Sequence, residues 1–423
     1  MRRTFLVDIG LLDGHSALRP GQTIVLEGDR IVTVGTSANV PPPGPDDDVR
    51  HMSGLVVMPG MVSGHFHSSF FNVGAEMGLP LLAQPPASRA YRALANAQTA
   101  LASGFTTVVS AGCTDAIDGQ LERAIEDGLF AGPRIVPCGR DTLSSADLTM
   151  PWWIALVGEW GIARCDGPDE MRKTVREEIN RGARLIKLSV SGGHALPLRK
   201  GTRIFNDVEV RAAVEAAHDL GVRVRTHVAG KAAILACIDC GVDILDHCDD
   251  MDEECIEAMV KADVIVLPSI YQTSKLLATD MTFFGIPREE LQAEFDHMCK
   301  ILPRAVEAGV KLCVGDDYGS AMIAHGDYAK EMTLYVERAG IEPLEVLRWA
   351  TRNGGKLAAR PDLGTIEPGK LADLLILNGD PSVDISLLED TSNILGIVCR
   401  GAFVKDPPDY GFVTELGRLQ AAE

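Results

Sequence analysis

The chain has 423 residues, with 40 Lys and Arg against 59 Asp and Glu and a formal net charge of −19. That length is ample for one large barrel with a smaller appended domain, and needs no disulfides to hold it. The acidic balance repels phosphate backbones and anionic lipid heads, so neither nucleic acid nor a membrane surface is an expected partner.

The opening MRRTFLVDIG meets Asp8 before any apolar run reaches the length of a secretory core. No later stretch of about 18 apolar residues follows, so a cytoplasmic protein is expected. Residues 4–35 hold short β-rich runs, and TIVLEGDRIVTVG, with Gly-Asp between apolar stretches, predicts a hairpin. VPPPGPDDD at 40–48 reads as a loop, and LVVMPGMV at 55–62 as a strand buried on both faces. From about residue 61 the texture alternates: TTVVSAG, a helix over 115–129, RIVPCG, a helix near 169–182, RLIKLSV, a helix near 207–220, and VRVRTHV. It continues through AAILACIDCG, DILDH, DEECIEAMVKA, VIVLPSI, a helix near 288–308, KLCVGDD, and helices over 327–359. LGTIEPGKLADLLILNGDP and ILGIVCRGAFVK then return to short strands.

About eight strand–helix units predict an α/β fold: a distorted (β/α)8 TIM barrel, whose catalytic groups sit at the C-terminal strand ends. The barrel is expected over 61–362, with a small β-sandwich formed by both chain ends, 1–60 and 363–423, the latter including a C-terminal tail. The ten cysteines fall mostly in apolar segments and read as buried reduced thiols. The C-x-x-C at Cys237 and Cys240 lies in a helical pattern without a second pair, which favours coincidence over zinc or redox chemistry.

The apolar strand LVVMPGMV runs into SGHFHSS, so His65 and His67 stand two apart and point to one side of an extended chain. Two imidazoles fall short of the three or four protein ligands a zinc site needs. Further donors appear at other strand ends: His227 ends VRVRTHV, His247 ends DILDH, and Asp316 and Asp317 end KLCVGDD. Any one of these alone reads as a core residue; together, at the ends of apolar strands, they read as a metal site. Lys187 sits inside the apolar strand RLIKLSV, where a free ammonium is costly to bury. It either reaches an acidic partner at the barrel mouth or reacts with carbon dioxide to give a carbamate that spans two cations.

At these residues the chain resembles the amidohydrolase superfamily, in its imidazolonepropionase-like and prolidase-like (Xaa-Pro dipeptidase-type) branch. PGMVSGHFH is similar to P-G-x-[IV]-x-x-H-x-H, and THVAGKAAILACIDCGVDILDH to H-A-H-G-x-x-A-I-x-x-A-x-x-x-G-V-D-x-I-E-H. VGDDYG is similar to G-T-D-x-G, LIKLSVSGG carries the strand-four lysine, and LGTIEPGKLADLLIL resembles the closing strand signature. The resemblance implies two divalent ions, zinc by expectation. His65 and His67 would hold the more buried one, His227 and His247 the other, and Lys187, N6-carboxylated, would bridge them. Asp317 aligns with the aspartate of G-T-D and would be both ligand and catalytic proton shuttle, whereas Asp316 stands where the family has Thr. The family's second histidine in H-A-H-G is Ala229 here, and I-E-H-G reads LDHC with Asp246 and Cys248, which puts dipeptidase specificity in doubt.

A metal pair would lower the pKa of a shared water from about 16 towards about 7 and so activate it against an amide-type bond. Arg140, His194, Tyr271 and His325 lie at or beyond strand ends and are candidate substrate contacts. NVGAEMGLPLLAQPPASRAY, with Trp152 and Trp153, suggests apolar surface near the mouth. The expected activity is hydrolysis of an amide in an N-acyl amino acid or dipeptide-like small molecule by a homo-oligomeric enzyme. The alternative is a xenobiotic amide, carbamate or urea, mycotoxin-type amides included; a non-enzymatic scaffold is disfavoured because every expected ligand is present.

Overall fold

The computed structural model describes residues 2–71, 84–146, 161–193, 200–279, 287–320 and 322–407. The opening segment forms β1 (Arg3–Leu11), β2 (Arg19–Glu27), β3 (Arg30–Thr36), β4 (Asp48–His51) and β5 (Val56–Pro59). The hairpin expected at TIVLEGDRIVTVG joins β2 to β3, with Glu27 opposite Arg30. Gly28 turns it at φ 59°, a conformation that costs glycine little.

From Met61 strands and helices alternate. They are β6 (Met61–Phe66), α1 (Pro86–Ala102), β7 (Phe105–Ser110), α2 (Ile117–Glu126), β8 (Arg134–Val136), β9 (Asp141–Leu143), β10 (Ile162–Arg164) and α3 (Gly167–Asn180). β11 (Leu185–Ser189), α4 (Asp207–His218), β12 (Arg223–Val228), α5 (Lys231–Asp239), β13 (Ile244–His247) and α6 (Glu253–Ala262) follow. Next come β14 (Ile265–Pro268), α7 (Ile270–Leu277), α8 (Arg288–Ala308), β15 (Lys311–Leu312) and α9 (Tyr328–Ala339). The helices form where apolar residues recur at three and four. α4 buries Val210, Ala213, Val214 and Ala217, and a capping box between Asn206 and Glu209 starts it.

Strands β6 to β15 pair only in parallel, as two sheets ordered β6-β7-β8 and β10-β9-β11-β12-β13-β14-β15. Two backbone contacts join the sheets, one where β8 meets the start of β11 and one where β6 meets the end of β15. Arg184 N donates to Pro137 O at 2.8 Å on one side, and Gly64 N to Val314 O at 2.9 Å on the other. That second approach leaves no room for side chains: a Cβ on Gly315, at φ 143°, would lie 2.3 Å from His65 N.

The chain returns in β16 (Leu374–Leu377), β17 (Ile394–Cys399) and β18 (Ala402–Lys405). β16 pairs antiparallel with β5, so both ends of the chain share one sheet, ordered β18-β17-β16-β5-β1-β2-β3 with β4 on β1. Side-chain alternation splits β16 between two cores. Leu374 and Ile376 join Leu6, Ile24 and Val57, while Leu375 and Leu377 join the large core against the parallel strands. All ten cysteines are free thiols, Cys237 and Cys240 among them. Among the described residues no helix is long and apolar enough to cross a membrane.

Candidate metal centre

The C-terminal ends of the parallel strands converge, and with them the histidines. β6 carries His65 and leads into His67, β12 carries His227 and β13 ends on His247, all buried. Their rings run in a row, with centroids 5.1 Å apart for His67 and His65, 5.2 Å for His65 and His247, and 4.3 Å for His247 and His227. Asp317 closes the group: its Oδ1 lies 2.6 Å from His65 Nε2 and 3.2 Å from His67 Nε2. Donor atoms of His65, His247 and Asp317 all lie within 4.8 Å of one another.

The surrounding contacts aim these rings. His67 Nδ1 stands 2.9 Å from the Gly112 carbonyl, which only accepts, so Nδ1 carries the proton and Nε2 keeps its lone pair towards Asp317. His227 Nε2 meets the Gly193 carbonyl at 3.3 Å, which leaves Nδ1 as its lone-pair nitrogen. His247 Nδ1 rests 2.9 Å from Ser269 Oγ. Both ring nitrogens of His65 are buried and unmatched by an aligned hydrogen bond, which leaves donor atoms free to hold a cation. Burial pushes His65 down to about 3, against the pull of Asp317 and Asp246, so the imidazole is neutral and able to ligate. For Asp317, burial opposes ionisation, but His65 and His247 outweigh it and hold the carboxyl well below the ordinary range.

Strand alternation alone does not produce this aim. His247 has φ 74° and Asp317 φ 46°, left-handed values that turn each strand end back upon the site. Asp246 can therefore point inward from β13 while its neighbour His247 joins the imidazole row. Asp316 points elsewhere: its Oδ2 accepts from Tyr271 N at 2.6 Å and Gln272 N at 3.1 Å, the first turn of α7.

Lys187 reaches an acid, and that acid is Asp246, with Nζ 2.5 Å from Oδ2. Arg225 grips the same carboxylate through Nη2 at 2.6 Å and Nε at 3.1 Å. The sequence reading missed Arg225. Its signal was present in VRVRTHV, where alternation places Arg225 and His227 on one side of β12.

The candidate substrate contacts are placed as follows. Arg140 is buried and donates to Glu178 Oε1 at 2.5 Å through Nη2 and 2.9 Å through Nε, bracing β9 against α3. Tyr271 is buried, and its hydroxyl donates to Asp327 at 3.0 Å. His325 has Nδ1 3.0 Å from the Tyr328 hydroxyl and its ring centroid 4.7 Å from that of Phe66. His194, Trp152, Trp153 and residues 72–83 of the apolar insert lie outside the described residues.

Known proteins share this architecture. The chain is 28% identical to ochratoxinase of Aspergillus niger over 94% of its own length and 85% of that protein. The crystal structure of that ochratoxinase superposes with a TM-score of 0.85 at 26% identity, covering 96% of each chain. A Xaa-Pro dipeptidase with bound methionine in its active site gives a TM-score of 0.84 at 29% identity, covering 95% of this chain and all of the other. Imidazolonepropionase of Anaeromyxobacter dehalogenans is 25% identical over 94% of each. Fold neighbours of this kind mark the α/β arrangement as of TIM-barrel type. The model of the amidohydrolase family matches residues 56–404, so the chain is a hydrolase of carbon–nitrogen bonds and belongs to the amidohydrolase family.

Proposed function

We propose that this protein is a binuclear metal-dependent amidohydrolase that cleaves the amide bond of an N-acyl amino acid or dipeptide-like substrate. The observation that carries the reading is the meeting of His65, His247 and Asp317 donor atoms within 4.8 Å at three strand ends. In this reading His65 and His67 hold one divalent ion, and His227 and His247 the other. Lys187, N6-carboxylated, would be a ligand to both, and Asp317 would complete the set. Zinc suits such imidazole and carboxylate donors. The parallel strands would close as a distorted (β/α)8 barrel over 61–362, a reading supported by the backbone contacts that join the two parallel sheets, and 1–60 with 363–423 would form the small β-sandwich and a C-terminal tail, residues 408–423 lying outside the described residues. A cytoplasmic homo-oligomer belongs to the same reading, supported for the compartment by ten free thiols.

When bound, the metal pair supplies Lewis acidity that polarises a carbonyl oxygen and lowers the pKa of water towards about 7. Asp317, held anionic, takes the proton of the attacking water and delivers it to the departing nitrogen. His65, held neutral, remains a ligand and does not compete for that proton. His67 is fixed by the Gly112 carbonyl, so its lone pair needs no reorganisation.

A second reading, a xenobiotic amide of the mycotoxin class, draws on the likeness to ochratoxinase. Metal analysis with a hydrolysis panel decides. The protein should purify with close to two divalent ions per chain and lose activity to a chelator. It should also cleave N-acyl amino acids or dipeptides faster than ochratoxin and aryl carbamates. Full activity without metal would sink the metal reading; the reverse substrate order would choose the second.

A further inference from the structure

Beside the imidazole row lies a buried charged group of which the hydrolytic reading uses only Lys187. Arg225 and Asp246 are fully buried, and Lys187 nearly so. The guanidinium binds both oxygens of Asp246, and its Nη1 donates to Gly64 O at 2.8 Å and Ser110 O at 2.9 Å, at the ends of β6 and β7. Arg225 thus ties Asp246 to the strand that carries His65. Lys187 and Arg225 are register partners on β11 and β12, so both donate to Asp246 from neighbouring strands.

As an amine, Lys187 leaves an ammonium and a guanidinium facing one carboxylate, an excess of positive charge beside a site that collects cations. Carboxylation reverses this. The ammonium first releases one proton to solvent; the neutral lysine nitrogen then forms a bond to the carbon of carbon dioxide and a second proton leaves, so that the product is an anionic carbamate that keeps one N–H. Arg225 and Asp246 are then balanced against each other, and the carbamate charge is left for the cations. The remaining N–H still requires an acceptor, because burial excludes water.

We propose that Asp246, braced by Arg225, is the positioning residue that accepts this N–H and so sets the plane in which the Lys187 carbamate presents its oxygens. The inference rests on the bridging role given to Lys187 above. It depends on both carboxylate oxygens being acceptors. Asn at this position has one acceptor oxygen and an amide NH2, so either Arg225 or Lys187 must meet a donor with a donor.

The test uses the full-length protein, stripped of metal and reloaded with zinc over a range of 13C-labelled bicarbonate. Uptake of metal and the 13C carbamate resonance are followed for wild type and Asp246→Asn, with thermal melting as a check on folding. Asp246→Asn should need at least about ten-fold more bicarbonate for half-maximal zinc uptake, with the carbamate resonance reduced in parallel. An uptake curve and resonance equal to wild type would overturn the inference. Should the variant not fold, the crystal structure of the zinc-loaded wild type decides. The carbamate nitrogen should lie within hydrogen-bond reach of Asp246 Oδ2, and a nitrogen turned away from it overturns the proposal. A wild type without any carbamate resonance removes the bridge itself, an outcome distinct from a carbamate indifferent to Asp246.

Discussion

The chain-end sheet and the ends of the parallel strands are equally buried, yet they bury opposite chemistry. In the sheet, Leu6, Ile9, Ile24, Val57, Leu374 and Ile376 are without exposure, and their partners are apolar. At the strand ends, His65, Lys187, Arg225, Asp246, His247 and Asp316 are at most 2% exposed and are held by charge and hydrogen bonds. Burying charge costs several kcal/mol per group unless partners offset it. A fold that concentrates that cost in one place holds it there for chemistry, whereas the sheet spends its burial on cohesion. Substitutions in the two regions should therefore separate function from stability.

The largest effect on function is expected at Asp317. Asp317→Asn keeps the size and removes the base, so turnover should fall about a thousand-fold at matched metal content. Asp316→Asn is the paired control. Its amide oxygen can still accept from the first turn of α7, so steady-state kinetics should show a much smaller loss. The reverse order of these two variants would exchange their roles. Lys187→Ala should lose at least one of the two metal ions along with activity, read by metal analysis. Partial rescue by short-chain carboxylic acids would support the bridge, and full metal with full activity would break it.

The sheet side of the comparison predicts the opposite pattern. Ile376→Ala opens a cavity among Leu6, Ile24 and Val57 and should cost about 3 kcal/mol in denaturant unfolding. Turnover per folded molecule should stay at the wild-type value; a fall in turnover matching that at Asp317 would erase the distinction between the regions.

The smallest effect tests buried charge away from the site. Burial raises Glu122 from 4.5 to about 7, with Arg184 opposing and Glu126 and Asp118 adding to the rise. Because the folded pKa lies above the unfolded one, no stability is lost below about pH 4.5. Stability then falls as pH rises through about 7. Glu122→Gln should remove that slope, gaining on wild type by about 2 kcal/mol between about pH 5 and pH 8, less the small loss of an exposed Arg184 partner. Parallel pH–stability curves for the two proteins would show that the carboxyl is not so held.

Much of this architecture is local and therefore readable along the chain. Apolar runs mark β6, β12, β13 and β14, three-and-four spacing marks α3, α4 and α8, and Gly28-Asp29 marks the hairpin. His65, His67, His227, His247 and Asp317 are legible as one group because each ends an apolar strand, and parallel strands place all such ends on one side. What the tertiary structure decided is which long-range partner each polar group meets. Arg140 reads as a mouth residue but is claimed by Glu178, 38 positions on. Lys187 finds Asp246 59 positions away, and Asp246 is shared with Arg225. Asp316 and Asp317 are adjacent in the chain; a positive φ at Asp317 and the open N–H groups of α7 send them apart. Periodicity reports which face of an element is buried; the identity of the atom that waits there depends on elements packed from distant sequence.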